Sequence, residues 1–165
     1  MEVFDLTSQI GAGSAFREEL CSMIGATQMF DDFEWHDIEA LADYMQAYEA
    51  GKGTVLFREG QGGDFLCLII EGKVDIVKED IDGKRKTIAV VGPGKTLGEM
   101  AIIDGEPCSA TAIVSEPVVL TILTQANFFR IINEKPALAT KILLKLARLL
   151  SQRLRLASGL LVDRL

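Results

Sequence analysis

Histidine is nearly absent from this chain: His36 is the single one in 165 residues. Metal centres and acid–base catalysis near neutral pH lean on imidazole, so both lack their usual group here. Cysteine is sparse too. Cys21, Cys67 and Cys108 stand far apart, odd in number and without a CxxC pair. That excludes a disulfide framework and predicts reduced thiols in a cytoplasmic protein. Long apolar runs are also missing. Phe65–Ile70 is one of the longest, far short of the ~20 residues that a bilayer span requires. The opening residues MEVFDLTSQIGAGSAF place Glu2 and Asp5 where a secretory signal would be basic.

Basic residues are scarce at one end only. Residues 1–50 hold eleven Asp/Glu against the single Arg17, whereas 135–165 hold seven Lys/Arg against one acid, Asp163. Solvated helix faces account for both ends, and attraction between them, within or between chains, is the sharper alternative. A basic helix without a reading motif does not make a nucleic-acid-binding protein. The chain is 48% hydrophobic and 25% charged, which suits one globular domain with its own core and appended helices.

Residues 14–24 read as a short helix capped by Ser14 and ended by Gly25. The segment 33–49 reads as a longer one, with Trp35, Ile38, Leu41, Met45 and Tyr48 at helical spacing and Asp31 or Asp32 as cap. His36 falls on the exposed side of that helix. From Gly51 the period changes. GTVLFREG, DFLCLIIEG, KVDIVKE, KRKTIAVVG, SATAIVS and VVLTILT are short β-rich runs divided by turn residues, with Asp82-Gly83 marking a tight hairpin between Val77 and Ile88. Short strands at this spacing predict an antiparallel sandwich or barrel. EMAII interrupts them, and such an insertion in a rigid sheet is a place for binding chemistry.

Thr124 is expected to cap a helix over QANFFRIINEK, and Pro136 to open a second one that runs to about Leu161 or stops near Gly159. The second helix has more apolar positions than one face can hold. Ile142, Leu149 and Leu156 form one stripe; Leu143, Leu150 and Ala157, with Ala147, Leu154 and Leu161, form another. One stripe can pack on the sheet and the other on a partner, which predicts a homodimer through 136–161. Burial of both stripes by the acidic N-terminal helices is the alternative.

The residues Gly98-Glu99-Met100-Ala101 followed by Pro107-Cys108-Ser109-Ala110-Thr111 lie within a helix–roll–helix–long helix order. In this they resemble the phosphate-binding cassette of the cyclic nucleotide-binding domain, the ligand module of catabolite activators, kinase regulators and gated channels. The likeness covers about 33–158 and includes Leu56 to Gly60, Gly63-Asp64, Ile69, Glu71-Gly72, Val74, Gly92 and Gly94. It implies a mainly β fold: an antiparallel, jelly-roll-like β-roll at 33–134 with flanking helices. An acidic, partly helical extension at 1–32 would precede it, and a long dimerisation helix at 135–165 would follow. It also implies a site of Gly98, Glu99, Met100, Ala101, Pro107, Cys108, Ser109 and Ala110. The cassette glutamate, here Glu99, would accept a hydrogen bond from the ribose hydroxyl.

The family's arginine after the proline pairs with the cyclic phosphate, and at that position this chain has Cys108. Loss of the cation weakens phosphate recognition. Lys95, in the turn entering the cassette, and Arg153, on the long helix that the family folds over the base, are the substitute candidates. Three readings stay open: a sensor of cyclic AMP or cyclic GMP with altered phosphate recognition; a degenerate domain acting in dimerisation or protein interaction; and a pocket for another small ligand. Cys108 as a reactive thiol with a lowered pKa near helix N–H groups is a further option. Glu99 alone is no acid–base pair, so catalysis, a resident cofactor and a bound metal are not expected. No helix-turn-helix follows the long helix, so an unidentified protein effector is expected rather than direct DNA binding.

Overall fold

The computed structural model describes residues 8–11 and 14–162. The expected Ser14 cap and the Leu161 side chain lie outside the described residues, as do residues 1–7, 12, 13 and 163–165. In chain order the elements are β1 (Ser8–Gln9), α1 (Ser14–Gly25), α2 (Trp35–Ala42), β2 (Met45–Ala50), β3 (Val55–Phe57), β4 (Phe65–Glu79), β5 (Arg85–Val91), β6 (Thr96–Leu97), α3 (Glu99–Asp104), β7 (Thr111–Thr124), α4 (Gln125–Glu134) and α5 (Pro136–Val162). The strands form one antiparallel sheet in the order β1-β2-β7-β4-β5, with β3 joined to β7 and β6 to β4. This is the β-roll with flanking helices that the sequence suggests.

The segment 33–49 is not one helix. α2 ends at Ala42 after two turns, and Met45–Ala50 is a strand paired with β7 from Met45↔Leu123 to Ala50↔Val118. Met45 and Tyr48 fit a helical period by accident of spacing, and pairing with β7 decides their state. The helix cap also differs. Glu34, extended at φ −66° and ψ 149°, occupies the cap with no side-chain bond, so neither Asp31 nor Asp32 serves. His36 is exposed as expected.

The runs either side of Glu71-Gly72 are one bent strand, β4, and those either side of Glu116-Pro117 are one strand, β7. Their mutual register shifts at Ile69/Glu71, Glu71/Lys73 and Lys73/Val74. There Gly72 has φ +81°, and a Cβ on it would run into Pro117 O. Glycine permits the close crossing that lets the two strands curl into a roll. The Asp82-Gly83 hairpin is present: Asp80 N donates to Lys84 O at 2.9 Å and the strands pair Glu79↔Arg85. The roll interior is filled by a cluster that includes Leu56, Cys67, Ile69, Val74, Ala112 and Leu120.

The chain divides into two compact units at Phe128/Phe129. In the first, α1 lies on α2, and Arg17 Nε donates to Asp43 Oδ1 at 2.7 Å. Thr124 Oγ1 accepts from Asn127 N at 3.2 Å, the cap expected for α4. In the second unit, Pro136 is the first residue of α5, and the helix continues through Gly159 rather than ending there. Ile142 and Leu146 are buried, Leu149 and Leu150 half-buried, and residues 151–160 exposed. No helix among the described residues is long and apolar enough to cross a membrane.

Candidate functional site

The cassette is built on two turns. Gly98 has φ +81°, and a Cβ there would run into Phe65 O, so the chain can enter α3 only with glycine at this point. α3 follows for six residues; Glu99, Ala101 and Ile102 face inward, while Met100 is 54% exposed. Gly105 at φ +71° ends the helix and returns its N–H to Ala101 O. Gln125 Nε2, at the start of α4, donates to Ala101 O and Ile102 O, both at 3.4 Å. The second bond satisfies a carbonyl near the end of the short helix, and the first adds to the one that Gly105 N–H already makes.

The second turn, 106–110, is clamped to the loop after β3. Cys108 N donates to Gln61 O and Gly60 N donates to Cys108 O, both at 2.8 Å, and Pro107 bridges Gly62. A Cβ on Gly63 would run into Ala101 Cβ and come within 3.1 Å of Cys108 Sγ. Ala101 and Cys108 therefore close on Gly63 from two sides, and the small residue at 63 is what lets α3 and the 106–110 turn meet. Of the sequence-predicted residues, Gly98, Glu99, Ala101, Pro107, Cys108, Ser109 and Ala110 lie on these two turns. Glu99 is 3% exposed and Cys108 8%, whereas Ser109 and Pro107 face solvent.

Cys108 does not have the lowered pKa that would make it reactive. Burial pushes its thiol up, and the nearby Asp64 carboxylate adds to the shift. Cys21 and Cys67 are raised by burial as well. A neutral thiol at residue 108 adds no charge to the turn. Native protein at pH 7.5 is expected to take up iodoacetamide at all three cysteines far more slowly than the same protein in denaturant, as read by intact mass. Rapid single alkylation of the native protein would place a thiolate where the structure places a neutral thiol.

Of the substitute cations, Lys95 is engaged by the loop between α1 and α2. Lys95 Nζ donates to Gln28 Oε1 at 3.2 Å, beside a surface hollow of about 240 Å³ lined by Met23, Thr27, Gln28 and Pro93. Arg153 belongs to the second unit. The sequence reading overlooked Lys78, whose Nζ donates to Ser109 O at 3.0 Å and lies 3.4 Å from Glu59 Oε1. The signal was available in the β4 alternation Val74, Ile76, Lys78, but only the register with β7 shows what that face meets. Among the described residues, no group of three or more His, Cys, Asp or Glu is arranged to hold a metal.

A bent antiparallel roll thus carries a glycine-led short helix, a buried glutamate and a clamped return turn. The cyclic nucleotide-binding domain model matches residues 47–135, and the chain belongs to that family. It is similar to a cyclic nucleotide-binding domain from Methylobacillus flagellatus, at 30% identity and a TM-score of 0.85, over 100% of this chain and 93% of that one. It is 30% identical to the cyclic AMP receptor protein of Thermus thermophilus over 77% of this chain and 57% of that protein. The CRP-like cAMP-activated global transcriptional regulator of Mycobacterium tuberculosis is also 30% identical, over 82% of this chain and 58% of its own length. The chain thus spans a little under three fifths of these two curated relatives.

Proposed function

We propose that this chain is a non-catalytic regulatory module that senses cyclic AMP or cyclic GMP with altered phosphate recognition and acts in the cytoplasm. The observation that carries the reading is the intact two-turn cassette, with Gly98 and Glu99 set by α3 and Ser109 and Ala110 set by the clamped return turn. In this reading buried Glu99 accepts from the ribose hydroxyl, and the backbone at Ser109 meets the phosphate. Only the position after Pro107 departs from the cassette that this sequence resembles. Calorimetric titration of the full chain with cyclic AMP and cyclic GMP tests the reading. Saturable heat at micromolar ligand supports it, and no heat up to millimolar ligand overturns it.

A role in self-association has its own observation. Leu154, Leu156 and Leu160 on α5 are 69%, 70% and 64% exposed, in a helix that also carries Lys141, Lys145 and Arg148. Leucines repeated on a long helix favour a second copy of the same helix, which would cover them symmetrically. The reading is a homodimer through 136–161, with ligand occupancy relayed to a protein effector. Leu154→Glu is expected to convert a dimer to a monomer in light scattering, with little change in melting temperature beyond the loss of association. A wild-type mass of one chain at high concentration refutes the dimer.

A further inference from the structure

We propose that Lys78 supplies the positive charge of the cassette, meeting the anionic group of the ligand beside Ser109; this rests on the cyclic-nucleotide reading above. The placement follows from the sheet. β4 and β7 pair Val74↔Val114, Ile76↔Ala112 and Val77↔Thr111 without a shift, so the next position on β4, Lys78, comes opposite Ala110. Paired residues share a face of the sheet, and the face alternates along each strand. Val74, Ala112 and Val114 belong to the roll's interior cluster, and Ile76 packs against it. Lys78 is therefore the outermost member of the interior face, carried to the rim at the cassette's return turn.

Its contacts show the ammonium already there. Nζ donates to Ser109 O, one residue from Cys108, and pairs with the Glu59 carboxylate. The Lys78 side chain is half exposed, so its charge keeps its hydration and its four-carbon stem can turn. The charges around the cassette call for such a group. Glu59 lies against Lys78, Asp64 acts on Cys108, and Glu99 is buried in α3. Without a cation these three carboxylates would repel a phosphate. Lys78 is also a point charge rather than a planar fork, so it holds an anion without fixing its orientation. The ligand's phosphate would take the place of Glu59, exchanging one anion for another, and the binding is correspondingly weaker than with a dedicated guanidinium.

The test is calorimetry on the full chain with cyclic AMP and cyclic GMP, for wild type, Lys78→Ala, Lys78→Arg and Glu59→Gln, each at two salt concentrations. Lys78→Ala is expected to weaken binding roughly ten-fold or more, the scale of a lost charge contact, and to flatten its salt dependence, because screening acts on the pair that was removed. Lys78→Arg is expected to keep the affinity, and Glu59→Gln to raise it several-fold by freeing the ammonium. In a Cys108→Arg background, Lys78→Ala is expected to matter much less, since the guanidinium has taken the phosphate. Thermal melts separate loss of the contact from loss of the fold, and an exposed Lys78→Ala is expected to melt within a few degrees of wild type. Wild type and Lys78→Ala binding equally overturns the role of Lys78 and leaves the sensor reading standing. Silence in wild type with binding in Cys108→Arg overturns the role of Lys78 and the sensor reading of the native chain, and shows a cassette that is sound except for its cation. Silence in both overturns the sensor reading itself, and the role of Lys78 with it.

Discussion

Cys108→Arg is expected to tighten cyclic nucleotide binding by roughly thirty-fold to several-thousand-fold, the ratio that follows from ~2–5 kcal/mol for one member of a buried charge pair. The range applies to a site with no cation at all. If Lys78 already contributes a charge at the rim, the gain falls near its lower end. The geometry allows the substitution. Cys108 Sγ sits in a crevice beside Gly63, which Ala101 closes from its other side. The turn holding residue 108 is fixed by its own backbone bonds to Gly60 and Gln61, so the side chain can change without moving the loop. A guanidinium does not fit the crevice itself, and it is expected to extend out of it toward the ligand. Calorimetry against wild type measures the ratio, and a melt of each protein checks that the core tolerates the change. A gain of less than about two-fold would show that Glu99 and the Ser109 backbone are not set for a cyclic phosphate, and would favour the degenerate or altered-ligand reading.

Much of this fold is legible in the sequence because its punctuation is local. Gly51, Asp82-Gly83 and Pro136 end or begin elements through their own backbone preferences, and each does so in the structure. The errors lie where a distant strand decides. Nothing between Ala42 and Met45 breaks a helix, so the helical spacing of Trp35, Ile38 and Leu41 runs on to Tyr48 in the sequence, while pairing with β7 makes the second half a strand. The long strands read as halves for the opposite reason. Glu71-Gly72 and Glu116-Pro117 look like breaks, but they face each other and bend β4 and β7 together without ending either.

The site divides along the same line. Gly98, Glu99 and Ser109 announce themselves by motif, because consecutive residues build each of the two cassette turns. The clamp by Gly60, Gln61 and Gly63, the brace from Gln125 and the approach of Lys78 come from segments far away in sequence. They become visible only once the register is known. Cys108 stands out in the sequence by its place after Pro107 but not as a buried neutral thiol, since its environment is set by Asp64 and by the packing against Gly63.

Gly98→Ala is expected to destabilise the protein by about 2–5 kcal/mol and to abolish ligand binding in whatever fraction stays folded. Two costs add. A left-handed backbone at φ +81° is penalised by ~1–2 kcal/mol for a residue with a Cβ. The new methyl meets Phe65 O, a backbone atom of β4 that cannot turn away as a side chain would, and forced overpacking costs ~1–3 kcal/mol. Relief requires either β4 or the start of α3 to shift. Since β4 is held at this point by β7 through Phe65↔Thr124 and Leu66↔Leu123, the shift goes to α3. Glu99 moves with it, which is why binding suffers even where the fold survives. For a chain of this size the melting temperature should fall on the order of 10 °C. Gly92→Ala is the matched control: its Cβ would meet nothing within 4 Å and its φ is not positive, so its effect should stay within about 0.5 kcal/mol. Equal melting of the two variants would mean that α3 rather than the glycine absorbs the strain at no cost, and a Gly98→Ala protein that still bound cyclic nucleotide as wild type does would remove α3 from the site.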